Sequence, residues 1–191
     1  MEESEKHEEL EEYAIVLDYL PTGKSSSARS MPMAQLLGEA KFTLLEAVSK
    51  ENVEIKIGER VYIGKGERDK ISLIKGRISY DYLTEGSKKE LPSAIMAIIK
   101  SNEKKFVEIF NKAGPLNIRE HTLELLPGVG KRHLEQILKA REEKPFESFA
   151  DIAARVPLLQ DPVKLLTERV LSELKEESRF HILTRPYFRR Y

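Results

Sequence analysis

Leu125-Leu126-Pro127-Gly128-Val129-Gly130-Lys131-Arg132 is the stretch that decides how the second half of this chain folds. Apolar residues precede Pro127, two glycines follow it, and two basic residues open the next segment. A Pro-Gly pair marks a turn between regular elements. Beyond the turn, Leu134, Ile137 and Leu138 recur at the spacing of one helix face. The stretch therefore predicts two helices joined by a tight glycine turn.

This predicted turn carries a candidate phosphate site. Helices over residues 117–126 and 131–143 would leave the N–H groups that open the second helix without internal partners, at the positive end of its dipole. Such a helix start binds phosphate, and glycines let a strand approach the main chain closely. The predicted contacts are Gly128, Val129, Gly130, Lys131 and Arg132. The arrangement is a helix–hairpin–helix, which grips a nucleic-acid backbone without reading its sequence; the alternative is a turn with only a structural role.

Charge is distributed unevenly along the 191 residues. The formal net charge is zero, but the first twelve residues hold seven glutamates and one lysine. The remaining chain carries 31 basic against 25 acidic residues. An acidic leader over residues 1–12 therefore precedes a mildly basic protein, and any nucleic-acid face has to be local rather than global.

Several functional classes are excluded by composition. The chain has no cysteine, so thiolate metal sites and disulfides are excluded. Four scattered histidines show no ligand pairing, and no metal or cofactor is expected. His121 and His133 flank the turn, where they either contact phosphate or, as we favour, lie at a helix edge. No apolar run approaches the ~18 residues of a membrane span, and no signal peptide precedes the fold, so we expect a cytoplasmic protein.

The first half reads as a small β-structure. Strands are predicted over Tyr13–Leu20 and over residues 38–48, 60–64 and 71–83, the last as one bent strand or two. Glycines separate these segments as turns or bulges. Several short strands with such punctuation predict an OB-like barrel over residues 13–90, a fold that binds oligonucleotides. Its tyrosines either stack on bases or fill the barrel, and packing is favoured for at least two of Tyr62, Tyr80 and Tyr82.

A polar loop over residues 21–32 contains the sequence Gly23-Lys24-Ser25. The first glycine of a P-loop would fall at Asp18, so nucleotide hydrolysis is rejected. Lys24 and Arg29 in this loop either bind phosphate or are simply solvated.

Helical periodicity begins near Pro92 and predicts an all-α domain over residues 91–178. Ser93 is predicted to cap its first helix, and Asp161 with Pro162 to open its last. A tail over residues 179–191 has four arginines, four aromatic residues and no acid. The tail either packs on the body or binds nucleic acid. Both hold if its first half packs and residues 185–191 project. The tail residues assigned to binding are Arg185, Arg189 and Arg190.

Residues 125–156 resemble the helix–hairpin–helix domains of DNA uptake and repair proteins. The shared positions after the turn are Arg141, Pro145-Phe146, Phe149 and Asp151-Ile152. Tandem versions repeat the Gly-x-Gly hairpin, whereas residues 155–162 of this chain contain no glycine. The resemblance implies one working hairpin and a degenerate second one.

The chain from about Tyr13 to the tail resembles an archaeal family known as domain of unknown function 655. The resemblance is carried by Arg60-Val61-Tyr62-Ile63-Gly64-Lys65, Leu91-Pro92, Lys105-Phe106-Val107, Phe110-Asn111-Lys112-Ala113 and the hairpin. It implies an α+β protein in which an OB-like barrel precedes an all-α helix–hairpin–helix domain. The role suggested for that family is nucleotide or RNA binding.

Three functions are compatible with these features. The leading one is non-catalytic, sequence-independent nucleic-acid binding, with RNA preferred slightly over DNA on the family description alone. The second is a protein-interaction module of a ribosomal or repair complex. The third is an enzyme like the hairpin glycosylases, with Asp151 as the catalytic aspartate. Helix capping is the commoner role of such a residue, and catalysis is not expected.

Overall fold

The computed structural model describes residues 10–23 and 31–187. The described residues divide into two compact units, one running to Leu91 and including Tyr187, the other spanning Pro92–Pro186. Four predicted contact residues, Lys24, Arg29, Arg189 and Arg190, lie outside the described residues, as does most of the acidic leader.

The first unit is built on one antiparallel sheet. Its strands are β1 (Tyr13–Leu20), β2 (Met33–Gly38), β3 (Leu44–Ser49), β4 (Arg60–Tyr62) and β5 (Ile71–Arg77). The spatial order is β4-β1-β2-β3-β5, so β1, β2 and β3 form a meander whose two flanks are covered by the short β4 and by β5. One face of the sheet buries an apolar cluster that includes Val16, Leu36, Leu45, Ile63 and Ile71.

The sequence prediction was correct for β1 and wrong for β2. The predicted strand over residues 38–48 merges the end of β2, a turn and most of β3. The whole of β2 is buried, Gln35 included, so it lacks the polar–apolar alternation of a half-exposed strand. Within the turn, Phe42 adopts φ 52° with its side chain buried. Non-glycine residues rarely adopt this left-handed conformation, so the sequence does not indicate a turn at Phe42.

The segment over residues 71–83 forms one strand followed by a helical turn. β5 pairs with β3 and carries a register shift next to Gly76, whose φ is 148°. The strand ends at Arg77, and Tyr80–Tyr82 forms a single 3₁₀ turn. The prediction of one bent strand or two is therefore wrong for the last residues.

Helix α1 (Glu85–Ser101) begins eight residues before the predicted cap at Ser93, and Pro92 lies inside it. The hydroxyl of Thr84 accepts a hydrogen bond from the Ser87 N–H at 3.0 Å, which caps the first turn. Proline usually ends or kinks a helix, which is why the expected start, with Ser93 as the cap, is too late.

The second unit is helical. Its elements after α1 are α2 (Glu103–Lys112), a 3₁₀ turn (Thr122–Leu125), α3 (Lys131–Glu143), α4 (Phe149–Arg155) and α5 (Pro162–Leu174). The predicted boundaries of α3 are correct, and Asp161 caps α5 by accepting a hydrogen bond from the Val163 N–H at 2.9 Å. The chain is an α+β protein, as expected.

The helix predicted over residues 117–126 is wrong. Only Thr122–Leu125 is helical, as a 3₁₀ turn. The side chain of Asn117 accepts hydrogen bonds from the N–H groups of Arg119 and Glu120, at 2.8 and 3.0 Å. Asparagine competes with a helix for backbone donors in this way. A β-bridge between Pro115 and His121 closes the resulting loop.

Candidate nucleic-acid interface

The glycine turn is anchored by two buried apolar side chains. Leu126 and Val129 are 1% and 6% exposed, and the Val129 N–H donates to the Leu126 carbonyl at 3.1 Å. Gly128 has φ 76°, a conformation that an L side chain rarely adopts. The anchors fix the turn and leave Gly128 and Gly130 exposed at its surface.

The start of α3 is an uncapped helix N-terminus. Gly130 occupies the N-cap position without a side chain, and its carbonyl accepts the first helical hydrogen bond from the Leu134 N–H at 3.0 Å. The N–H groups of residues 131–133 fall in the first turn, where a helix has no internal acceptor. Lys131 and Arg132 are exposed beside them. His133 accepts through Nδ1 from the Gly130 N–H at 3.3 Å, so it does not occupy the first-turn donors.

The other helix starts of this unit carry either a capping side chain or an acidic residue in the first turn. Ser148 caps α4 by accepting from the Asp151 N–H at 3.0 Å, and a carboxylate, Asp161, caps α5. Helix α2 has Glu103 in its first turn. Each of these starts therefore holds an acceptor or negative charge that disfavours an added anion. Helix α2 is also uncapped and carries Lys104 and Lys105, but Glu103 lies in the same first turn. In the described part of the second unit, α3 alone has an uncapped start with two cations and no acidic residue in its first turn.

A second turn between α4 and α5 repeats one backbone hydrogen bond of the first. The Leu159 N–H donates to the Val156 carbonyl at 2.9 Å, and both side chains are buried. Leu158 takes the place of Gly128 and is 65% exposed. The two turns are close, since a methyl group added to Gly128 would lie 3.8 Å from Nε2 of Gln160. The second turn therefore shares the hydrogen bond and the buried anchors, but it lacks the left-handed residue, the glycines and the basic pair of the first turn.

Two arginines bind the carbonyl groups at the ends of α2 and α3. The sequence pattern did not predict this structural role. Arg141 donates to the carbonyls of Phe110 and Ala113, at 3.1 and 2.7 Å. Arg155 donates to the carbonyls of Ala140 and Lys144 at the end of α3. Both therefore satisfy carbonyls that helix ends leave unpaired, and they act as supports of the turn.

Arg169 joins the glycine turn to the C-terminal segment. Its guanidinium donates to the Leu125 carbonyl at 2.9 Å, to the Phe180 carbonyl, and to Glu173 at 2.8 Å. One planar group thus brings the start of the tail next to the 3₁₀ turn that precedes the hairpin. A buried arginine in an apolar helix face is a signal that sequence analysis could have used.

Glu173 fixes the tail itself. Its fully buried carboxylate accepts the N–H groups of Ile182, Leu183 and Thr184, at 2.9, 3.1 and 2.8 Å. The first half of the tail therefore packs on the body, as one interpretation expected. Arg185 follows directly and is exposed.

His121 lies at the edge of the 3₁₀ turn. It caps this turn by accepting the Leu123 N–H at Nδ1, at 3.1 Å, and Glu124 accepts the His121 N–H in return. Burial, with the positive charge of Arg141, lowers the pKa of His121 below its usual value. The neutral imidazole is the form that can accept, so this histidine has a structural role.

Asp151 has a complete set of local partners. Its carboxylate accepts from the Glu147 N–H at 3.0 Å and pairs with Arg155 at 3.2 Å. These contacts lower the pKa of Asp151, the backbone hydrogen bond most of all. Asp151 is the third residue of α4, and its contacts hold the chain that enters the helix and the Arg155 side chain.

The tyrosines of the first unit divide between packing and exposure. Tyr62 packs edge-to-face on Tyr13 with ring centroids 5.3 Å apart, and Arg60 covers the Tyr13 ring at 3.5 Å. The hydroxyl of Tyr62 accepts from the Gly66 N–H at 3.0 Å. Tyr80 is half-buried, whereas Tyr82 is 63% exposed.

Two negative findings concern the described residues. Within residues 10–23 and 31–187, no helix is both long and apolar enough to cross a bilayer. The same ranges hold no group of three or more His, Cys, Asp or Glu side chains placed to bind a metal ion.

Comparison with known proteins places the chain in a family. Residues 10–185 match the profile of a protein of unknown function, DUF655. The uncharacterized protein MJ0038 of Methanocaldococcus jannaschii is 43% identical over 174 residues, which are 91% of this chain and 79% of that protein. A shorter match, 36% identical over 85 residues, covers 6% of DNA polymerase III PolC-type from Thermotoga maritima.

A solved structure is similar along nearly the whole chain. The crystal structure of Af1531 from Archaeoglobus fulgidus, described as a DUF655 protein, is 44% identical with a TM-score of 0.85. The similarity covers 92% of this chain and all of that one. The sequence profile and the structural match agree, and the chain belongs to the DUF655 family of unknown function.

Proposed function

We propose that this protein is a non-catalytic nucleic-acid-binding protein that grips the phosphate backbone through the Gly128–Gly130 turn. The observation that carries the proposal is the uncapped start of α3, where Lys131 and Arg132 are exposed beside three first-turn N–H groups. In this site the first-turn N–H groups of residues 131–133 receive one phosphate, and the Lys131 and Arg132 side chains neutralise its neighbours. None of these groups reads a base edge, so binding is largely independent of sequence.

The surrounding geometry supports a footprint larger than one phosphate. Arg169 anchors the tail beside the turn, which brings the exposed Arg185 into the same unit as the hairpin. The 3₁₀ turn, the glycine turn and α3 form an abbreviated helix–hairpin–helix in this proposal. The five-stranded sheet of the first unit is proposed as an OB-like half-barrel that contributes a separate contact. We keep the slight preference for RNA over DNA as part of the proposal.

A substitution at Gly130 tests the mechanism without disturbing the fold. A methyl group on Gly130 meets no atom within 4 Å, and its φ of −96° suits any residue. Aspartate is moreover a good N-cap, so Gly130→Asp should fold normally. Its carboxylate would occupy the first-turn N–H groups and repel phosphate. Gly114→Asp is the matched control, since Gly114 also has no atom within 4 Å of an added methyl group.

Fluorescence anisotropy with single-stranded RNA, double-stranded RNA and duplex DNA, each at several salt concentrations, measures the effect. We expect wild-type affinity to fall steeply with salt, and Gly130→Asp to weaken binding at least tenfold while Gly114→Asp does not. Lys131→Ala should reduce the log–log salt slope by roughly 0.7 to 0.9, one released counterion. Unchanged affinity of a folded Gly130→Asp variant for all three ligands would show that the hairpin is not the binding site.

A protein-binding role is the second candidate. It is favoured by Leu158, which is 65% exposed on the turn beside Gly128, and by Ile118, which is fully exposed. These two exposed side chains would be contacts for such a partner. If wild-type protein binds none of the three nucleic acids at low salt, this role replaces the first.

A further inference from the structure

A second anion site lies in the first unit, in the turn that joins β2 to β3. The Glu11 carboxylate fills it. Its Oε2 accepts from the Ala40 N–H at 2.6 Å, and its Oε1 accepts from the Lys41 and Thr43 N–H groups at 2.9 and 3.3 Å. The Thr43 hydroxyl adds a fourth donor at 2.7 Å. Four donors therefore converge on one carboxylate.

The backbone of this turn is shaped for an anion. Phe42 is held at φ 52°, in the left-handed region, by its buried ring. A left-handed residue within a turn directs successive N–H groups towards one point, which is the geometry of an anion-binding nest. The conformation costs on the order of 1–2 kcal/mol for a non-glycine residue, so the surrounding packing enforces it.

Gly38 completes the cradle. A methyl group on Gly38 would overlap the carboxyl carbon and the Cγ of Glu11. The absence of a side chain at the end of β2 thus provides the space in which the carboxylate lies. The backbone of Gly38 is not in the left-handed region, so its conformation does not require glycine. Glycine is required here only to leave room for the Glu11 carboxylate.

We propose that this nest is a phosphate site which Glu11 occupies as an internal stand-in. A phosphodiester carries one negative charge and several acceptor oxygens, so the four donors that hold the Glu11 carboxylate suit it equally. Glu11 is the penultimate residue of the glutamate-rich start of the chain and lies two positions before β1. Nucleic acid binding would displace the Glu11 carboxylate, which thereby acts as an autoinhibitory contact. The displacement rests on the proposed nucleic-acid function, whereas the anion site does not.

Glu11→Ala empties the nest, and Glu12→Ala is the matched control. Glu12 is the neighbouring exposed glutamate, and its removal changes the net charge equally. The first probe is inorganic phosphate, followed through backbone amide chemical shifts. In Glu11→Ala we expect saturable shifts at Ala40, Lys41 and Thr43. The same shifts should be absent or at least tenfold weaker in wild type and in Glu12→Ala. If Glu11→Ala does not fold, Glu11→Gln serves instead, because an amide nitrogen cannot accept the Ala40 N–H.

The second probe is labelled single-stranded RNA. A ligand that must displace an internal competitor loses affinity in proportion to the open fraction, which is commonly 10% or less. Glu11→Ala should therefore bind RNA about tenfold or more tighter than Glu12→Ala. Adding Thr43→Val, which removes one donor from the nest while nearly preserving shape, should reverse part of this gain.

The two probes separate the possible failures. An emptied nest that shows no phosphate shifts overturns the anion site. In a second outcome, phosphate changes the amide chemical shifts of the nest while the Glu11 and Glu12 variants bind RNA with equal affinity. That result overturns autoinhibition, even if Gly130→Asp still abolishes RNA binding. Phosphate shifts in a protein that binds no nucleic acid in any form would uphold the anion site and refute the proposed function.

Discussion

Removing the charge of Glu173 should destabilise the second unit strongly. In Glu173→Gln one side-chain oxygen remains an acceptor and the other becomes an amide donor. Oε1 accepts from Arg169 and Ile182, and Oε2 accepts from Leu183 and Thr184. Either orientation of the amide therefore turns a donor towards two N–H donors that keep no partner.

The magnitude follows from these contacts. A hydrogen bond to a charged group contributes about 1.5–3 kcal/mol, and two are lost. Breaking a buried ion pair costs about 3–5 kcal/mol, because the remaining charge is left unpaired. The Arg169 and Glu173 side chains are 8% and 0% exposed, so solvent compensates little. Both routes lead to a loss of about 3–5 kcal/mol, a large part of the roughly 5–15 kcal/mol by which a domain is stable.

Urea denaturation followed by circular dichroism measures the loss, and Glu168→Gln is the control. Glu168 forms an (i, i+4) pair with Lys164 on the same helix, at 3.9 Å, and both side chains are well exposed at 41% and 61%. Exposed pairs of this kind contribute about 0.5 kcal/mol or less. Amide hydrogen exchange should also accelerate at residues 182–184 in Glu173→Gln alone. A loss below about 1 kcal/mol, or equal losses in both variants, would refute the reasoning.

Two further predictions concern the turn and its cap. Gly128→Ala should lower the free energy of unfolding by about 1–2 kcal/mol. The new methyl group meets only Gln160, at 3.8 Å, so the cause is the strain of an alanine at φ 76°. In the same urea titration the control Gly114→Ala should leave the free energy of unfolding unchanged. The lowered pKa of His121 means that the unfolded chain binds its proton more readily. The stability from this residue is complete above pH 6.5 and is lost as the pH falls through the lower folded pKa. His121→Asn keeps a capping acceptor and should remove that part of the pH dependence between pH 7.5 and 4.5; an unchanged profile would contradict the capping role.

Elements with local signals were predictable. β1 has a dense run of β-branched and aromatic residues, and its observed bounds are those expected. Helix α3 follows directly from the glycine turn and the apolar spacing after it, and α5 from the Asp161-Pro162 start. Each of these signals acts over a few residues of chain. The resemblance to the family rested on such stretches as well, and the chain belongs to that family.

Elements whose state depends on distant partners were mispredicted. β2 is buried on both faces, so burial rather than alternation decides its conformation. The segment over residues 117–126 has apolar residues at helical spacing, yet Asn117 and a bridge between Pro115 and His121 hold it as a loop. Pro92 lies within a helix that Thr84 had already begun. In each case a tertiary or capping contact outweighed local propensity.

The sequence by itself determined the glycine turn, its two basic residues and the helix that follows, because backbone freedom, charge and periodicity are properties of adjacent residues. Tertiary structure alone decided that Arg169 and Glu173 bind the tail beside the glycine turn, and that Glu11 lies in the nest of the β2–β3 turn. These contacts join residues separated by up to 44 positions, as in Arg169 and Leu125, or by 32 positions, as in Glu11 and Thr43. Such partners are chosen by packing of the whole chain, which no local pattern encodes.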